Sequence, residues 1–102
     1  MPSFTVDVPH QLGADTATDR IKSLVPSMRE RYGAQIKDLR EEWQGHNGSF
    51  AFNAMGFDVK GSIAVVADTV TFKGDLPFAA SPFKGQIERM VRDRATELLK
   101  TS

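Results

Sequence analysis

The chain reads as an α+β protein. Its elements run strand, helix, four strands, helix. We expect a curved antiparallel five-stranded sheet with a kinked N-terminal helix and a long C-terminal helix packed on one face. Three observations predict this. Apolar and polar residues alternate strictly at the start of the chain. Two stretches carry apolar residues at spacings of three and four. Between them, residues 36 to 76 are divided by three turn signals.

Each element follows in order. Phe4, Val6 and Val8 alternate with Ser3, Thr5 and Asp7, which is the period of a half-buried strand, and Pro9 ends it. Ala14, Ala17, Ile21, Leu24, Val25, Met28 and Tyr32 then fall on one helical face. Asp15 and Asp19 near its start, and Arg29 and Arg31 near its end, suit the helix dipole. Gly33 is a stop signal. Pro26 lacks a backbone donor and clashes with the preceding turn, so we expect a kink, or two short helices meeting there.

The four central strands form a meander. The first hairpin is expected to turn on Asn47-Gly48 or on the wider four-residue Gly45 to Gly48, the next at Gly56-Phe57 and the last at Asp68-Thr69. These turns bring Trp43, Phe50, Phe52, Val59, Ile63, Val65, Val70, Phe72 and Leu76 to one face. Asn53, Asp58, Lys60, Ser62, Thr71, Lys73 and Asp75 take the other. A slip of one residue would invert every side chain, so agreement across three hairpins carries weight. The same turns place Val65 beside Phe72 and Gly61 near Leu76. The last helix is expected to start near Ala80 or Ser81, with Pro82 in its first turn. Phe83, Ile87, Met90, Val91, Ala95, Leu98 and Leu99 form its apolar stripe, and both helices cover the apolar face of the sheet.

Composition narrows function. The 102 residues are expected to form a single domain. The formal net charge is zero, which gives no basic field for nucleic acid. The sequence has no cysteine, so thiol chemistry and thiolate metal sites are excluded. No secretion signal is visible, and no apolar run approaches the ~20 residues of a membrane span. The lack of cysteine fits a reducing compartment. His10 and His46 are the only histidines and have no companion ligands, so we expect no metal and no cofactor. No serine has a catalytic motif around it.

Three features are open to function. The first is the connector Gly74 to Gly85, where two prolines and two phenylalanines replace the usual polar residues. Leu76, Phe78, Ala79, Phe83 and Lys84 are its candidate partner or ligand surface. The second is Gly61 and Gly74, which point to the apolar face. They either permit curvature and close helix approach or open a small cavity lined also by Phe52, Ile63 and Phe72. The third is Glu41, which the register points inward between Leu39 and Trp43. Burial there would raise its pKa, as suits a general acid or base.

The segments Pro9-His10-Gln11-Leu12, Arg20-Ile21, Glu42-Trp43-Gln44-Gly45, Phe50 to Phe57, Gly74 to Ala80 and Phe83 to Glu88 together resemble the small bacterial polyhydroxyalkanoic acid system proteins. The resemblance runs in order over nearly the whole chain. It implies a cytoplasmic bacterial protein and suggests association with polyester granules. It carries no catalytic residues and does not imply an enzyme. The leading expectation is a non-enzymatic interaction protein whose partner is the granule surface or a granule protein. A carrier of a small apolar ligand, held between sheet and last helix, is the alternative, and an enzyme using Glu41, with His10, is a further one. A homodimer is open, through the mixed outer sheet face or an edge strand.

Overall fold

The structure is a computed structural model that describes residues 2–100. Its elements are β1 (Ser3–Pro9), α1 (Ala14–Ile21), α2 (Leu24–Tyr32), β2 (Ile36–Gln44), β3 (Asn47–Ala54), β4 (Phe57–Val65), β5 (Thr69–Asp75), a 3-10 segment (Phe78–Phe83) and α3 (Lys84–Leu98). All strand pairs are antiparallel, in the spatial order β1-β5-β4-β3-β2. The expected α+β architecture is present, with β1 and β2 as the edges.

The face assignment holds, and the turns lie slightly earlier than expected. The first hairpin turns on Gly45-His46, with Gln44 opposite Asn47. Gly45 takes a φ of 62°, a conformation most side chains avoid. The second turns on Met55-Gly56, both at positive φ, as a two-residue hairpin loop requires. The third is a four-residue turn closed by Val66 N–H donating to Thr69 C=O at 2.9 Å. The partners change accordingly. Val65 pairs with Val70 rather than Phe72, and Gly61 pairs with Gly74 rather than lying near Leu76. Phe50, Phe52, Val59, Ile63, Val65, Val70, Phe72 and Leu76 are all buried on one face, and Trp43 is half-buried beside them.

The expected break near Pro26 is present as two short helices, and the start of the last helix is corrected. The first helical region breaks at Lys22-Ser23, upstream of Pro26. A proline obstructs the carbonyl four residues before it, which here is Lys22, so the chain must leave the helix at that point. Pro26 then sits in the first turn of α2, where a missing N–H costs nothing. The last α-helix starts at Lys84, because the preceding six residues wind as a 3-10 segment that includes Pro82.

The helices cover the apolar face. Ala17 and Ile21 of α1, Leu24 and Met28 of α2, and Ile87, Met90, Val91 and Ala95 of α3 join the buried strand residues in one cluster. Polar ties fix the helices to one another. Arg20 donates to the carbonyls of Leu98 and Lys100 at the end of α3, at 3.1 and 2.8 Å. These carbonyls have no helical partner of their own. Arg94 Nε donates to Ser27 Oγ at 2.8 Å, joining α3 to α2.

Gly61 and Gly74 face each other across β4 and β5, and aromatic rings occupy the space their side chains leave. The Phe50 ring lies over Gly61, and the Phe4 ring over Gly74. A methyl group at Gly61 would also overlap the backbone carbonyl of Lys73. The absence of two side chains is therefore part of how two phenylalanines are packed. Gly61→Ala and Gly74→Ala should each lose roughly 1–3 kcal/mol of stability, the usual cost of overfilling a packed site. Gly85, near the start of α3, has open space around it. Gly85→Ala should instead gain about 0.5–1 kcal/mol from helix propensity. Urea denaturation of the three variants checks this, and equal behaviour of all three would contradict it.

Candidate functional site

β5 ends at Asp75, and the chain must climb from the sheet to the helix layer. Leu76 anchors the start of that climb. It is fully buried, and its N–H donates to the Pro2 carbonyl at 2.9 Å. Pro77 follows in an extended conformation, φ −59° and ψ 152°. Its fixed φ directs the chain into the 3-10 segment. The Ala80 N–H closes that segment by donating to the Pro77 carbonyl at 2.9 Å, and Ala80 is fully buried. Phe78 lies between these two anchors and is 80% exposed. A 3-10 helix has three residues per turn, so anchors at Leu76 and Ala80 leave an intervening side chain pointing away.

Phe78 has apolar neighbours in the chain. Ala79 and Pro82 are exposed, and Phe83 is half-buried. The Phe83 ring lies 5.6 Å from that of Phe57, tilted by 35°. Such aromatic pairs are favourable beyond the area they bury. This contact brings the start of β4, just after the Met55-Gly56 turn, against the 3-10 segment. Lys84 is exposed at the first position of α3. Phe78, Ala79, Pro82, Phe83 and Lys84 thus share one short segment, the Phe78 tip, with Phe57 packed against it at Phe83. Phe57 was not among the sequence candidates. Its signal was a large apolar residue directly after a turn glycine.

The interior candidates divide. Phe52, Ile63 and Phe72 line a void of about 10 Å³ beneath α2, together with Leu24, Met28 and Phe50. That is room for about one water molecule, and its lining is apolar. Gly61 and Gly74 do not open onto it, because the Phe50 and Phe4 rings fill the space above them.

Glu41 points inward on edge strand β2, opposite Phe50, and is half-buried. Burial raises its carboxyl above the ordinary value, and the neighbouring Trp43 indole and Lys22 ammonium oppose that shift. Glu41 Oε2 and Trp43 Nε1 are buried, and neither has a partner at hydrogen-bonding geometry. The Lys22 ammonium lies 5.9 Å from the centre of the Trp43 ring, within cation–π range. Lys22 belongs to the break between α1 and α2, so the break created by Pro26 delivers a cation to this pair.

The histidines serve structure. His10 is buried, and its Nδ1 accepts from the Leu12 N–H at 3.1 Å. The ring proton is therefore on Nε2, which donates to the Val66 carbonyl at 3.1 Å. His46 Nε2 lies 2.6 Å from Asp15 Oδ1 at the surface, linking the first hairpin to α1. Among the described residues no group of three His, Asp or Glu could hold a metal ion. No helix among them is long and apolar enough to cross a membrane.

A family model described as "Putative polyhydroxyalkanoic acid system protein" matches residues 4–99. No curated protein matches the sequence. A crystal structure from Thermus thermophilus is similar with a TM-score of 0.58 at 11% identity, over 96% of this chain and 92% of that one. A protein from Nitrosospira multiformis is similar with a TM-score of 0.62 at 10% identity, over 98% and 97%. DynU16, from the dynemicin biosynthetic locus, is similar with a TM-score of 0.60 at 10% identity. There the match covers 97% of this chain and 47% of DynU16. At these identities the likeness shows a shared fold.

The Glu41 carboxyl has a definite pH signature. Its folded pKa is raised, so the folded state holds the proton more tightly than the unfolded chain does. The stability this group contributes is fully present below its ordinary value of 4.5 and is lost as pH rises through the higher folded value. Glu41→Gln removes the ionisation. Urea midpoints of the two proteins should converge at low pH, and the variant should be the more stable at neutral pH. Parallel curves across that range would show that Glu41 titrates as a solvent-exposed carboxyl.

Proposed function

The chain belongs to the polyhydroxyalkanoic acid system protein family, and from that premise we propose that it acts as a non-enzymatic adaptor at an apolar surface, the polyester granule or a protein on it. The observation that carries this reading is Phe78, exposed to 80% while both flanking anchors, Leu76 and Ala80, are fully buried. Leaving a phenylalanine in water forgoes about 2–3 kcal/mol relative to burying it. Here the chain on either side is fixed, so the ring is held outward in the free protein. A docking surface needs an anchor presented in this way, since little ordering is then left to be done on contact.

The surrounding residues fit the role. Ala79 and Pro82 extend the apolar area with little side-chain entropy to lose. The Phe57–Phe83 ring contact ties the end of this segment to β4, and the exposed Lys84 supplies a polar neighbour. An interior carrier is the less supported reading, because the apolar void beneath α2 measures about 10 Å³. A ligand there would require α2 to move away from the sheet. For catalysis by Glu41, the nearby titratable group is Lys22, while His10 is committed to the Leu12 and Val66 backbone.

Partition onto polyhydroxyalkanoate particles tests the proposal. Phe78→Asp should keep the native melting transition, because the side chain makes no core contact. Its partition coefficient should fall roughly 30- to 150-fold, as expected from losing about 2–3 kcal/mol of burial. Phe78→Leu should retain most of the binding. A folded Phe78→Asp protein that partitions like the wild type would refute this role for the tip.

A further inference from the structure

The two edges of the sheet are built differently. β2 is irregular. Its register shifts between Lys37 and Arg40, Asp38 takes a φ of 56°, and Lys37, Arg40 and Glu42 stand exposed along it. Bulges and charges of this kind are how edge strands avoid pairing with another chain. β1 has neither. It is a regular run of seven residues, with no register shift and no lysine or arginine.

The hydrogen-bond phase of β1 can be read from its two ends. Leu76 N–H donates to Pro2 C=O, and His10 N–H donates to Asp68 C=O, both at 2.9 Å. Both pairs continue the register that joins Ser3 to Asp75 and Pro9 to Thr69. Bonded and non-bonded pairs alternate along an antiparallel ladder. The backbone groups of Phe4, Val6 and Val8 therefore point into β5, and those of Ser3, Thr5 and Asp7 point to the open edge. All three of these residues are exposed, so no other described segment covers them.

We propose that the β1 edge pairs antiparallel with β1 of a second copy of this chain, Thr5 opposite Thr5, joining the two sheets into one. The pattern selects this register. With Thr5 on the two-fold axis, Ser3 of each copy faces Asp7 of the other. Each outward-facing pair can then close two backbone hydrogen bonds. The Asp7 carboxylate accepts from Thr71 Oγ1 at 2.7 Å within the monomer, and the facing Ser3 hydroxyl supplies a second donor, a favourable cross-strand pair. Centring on Asp7 would set two carboxylates against each other. Pairing Thr5 with Asp7 would bring Pro9, which has no N–H, opposite Ser3. The surface is isologous, so it closes as a dimer and does not propagate. It is separate from the Phe78 tip and does not depend on the role proposed for it.

Thr5→Pro is the discriminating variant. It removes only an outward N–H, which β1 does not use within the monomer, and proline is tolerated on an edge strand at such a position. Sedimentation over a micromolar concentration series should give a dimer for the wild type and for Thr5→Val. Thr5→Pro should be a folded monomer, with its dissociation constant raised at least tenfold. Hydrogen exchange on the wild type tests the same point without a variant. The Thr5 and Asp7 amides should be protected at high concentration and lose that protection on dilution, while Val6 stays protected throughout. A wild-type protein that is monomeric across the series, including one that pairs this edge only with a foreign peptide, would overturn the proposal. So would a dimer in which the Thr5 and Asp7 amides exchange freely.

Discussion

A one-sided sheet is the constraint on which the rest of this protein depends. Antiparallel register sends every large apolar side chain of the central strands to the same face, and that face must be kept from water. The chain meets the requirement with α1, α2 and α3, tied to one another by Arg20 and Arg94. The route to α3 starts at the end of β5, inside the sheet, so the connector has to rise from one layer to the other. Leu76 and Ala80 fix the two ends of that rise. The exposure of Phe78 follows from the layer architecture.

The register argument shows why faces were legible in the sequence and partners were not. Moving a hairpin turn by one residue shifts each cross-strand partner by two positions. A shift of two preserves the face, because side chains alternate with period two. Phe52, Ile63 and Phe72 were thus placed on the core face even though each turn lies elsewhere than expected. The pairing of Gly61 with Gly74 needed the turn itself. So did the packing of Phe4 and Phe50 over those glycines, because it joins residues far apart in sequence. Periodicity also has nothing to say within a connector. Leu76 and Phe83 could be extrapolated from the elements on either side, but Phe78 belongs to neither period. Its orientation comes from the 3-10 winding that Pro77 initiates.

The same reasoning separates the candidate sites. Glycines on an apolar face suggested interior space, and neighbouring aromatic rings occupy it. The remaining void is apolar and holds about 10 Å³. Glu41 was correctly placed inward, although its surroundings were not foreseeable. Trp43 is its neighbour on the strand, while Lys22 reaches it only because Pro26 forces α1 to end where it does. Two features on the outside of the fold are left without a partner. One such feature is the apolar tip, and the other is the regular edge of β1. They use different physics, hydrophobic burial and backbone hydrogen bonding, so each can be disabled without the other.

The central claim is that the Phe78 tip is the part of the molecule that meets an apolar surface. The absence of cysteine makes a direct footprint available. A single thiol is placed at the tip in Ala79→Cys, and another on the outer sheet face in Ser62→Cys. Both positions are exposed. The rate of labelling by a water-soluble thiol reagent is then measured with and without polyhydroxyalkanoate particles. The account predicts strong protection of the thiol at position 79 by the particles and unchanged labelling at position 62. Equal labelling at position 79 with and without particles, or protection of position 62 instead, would contradict it.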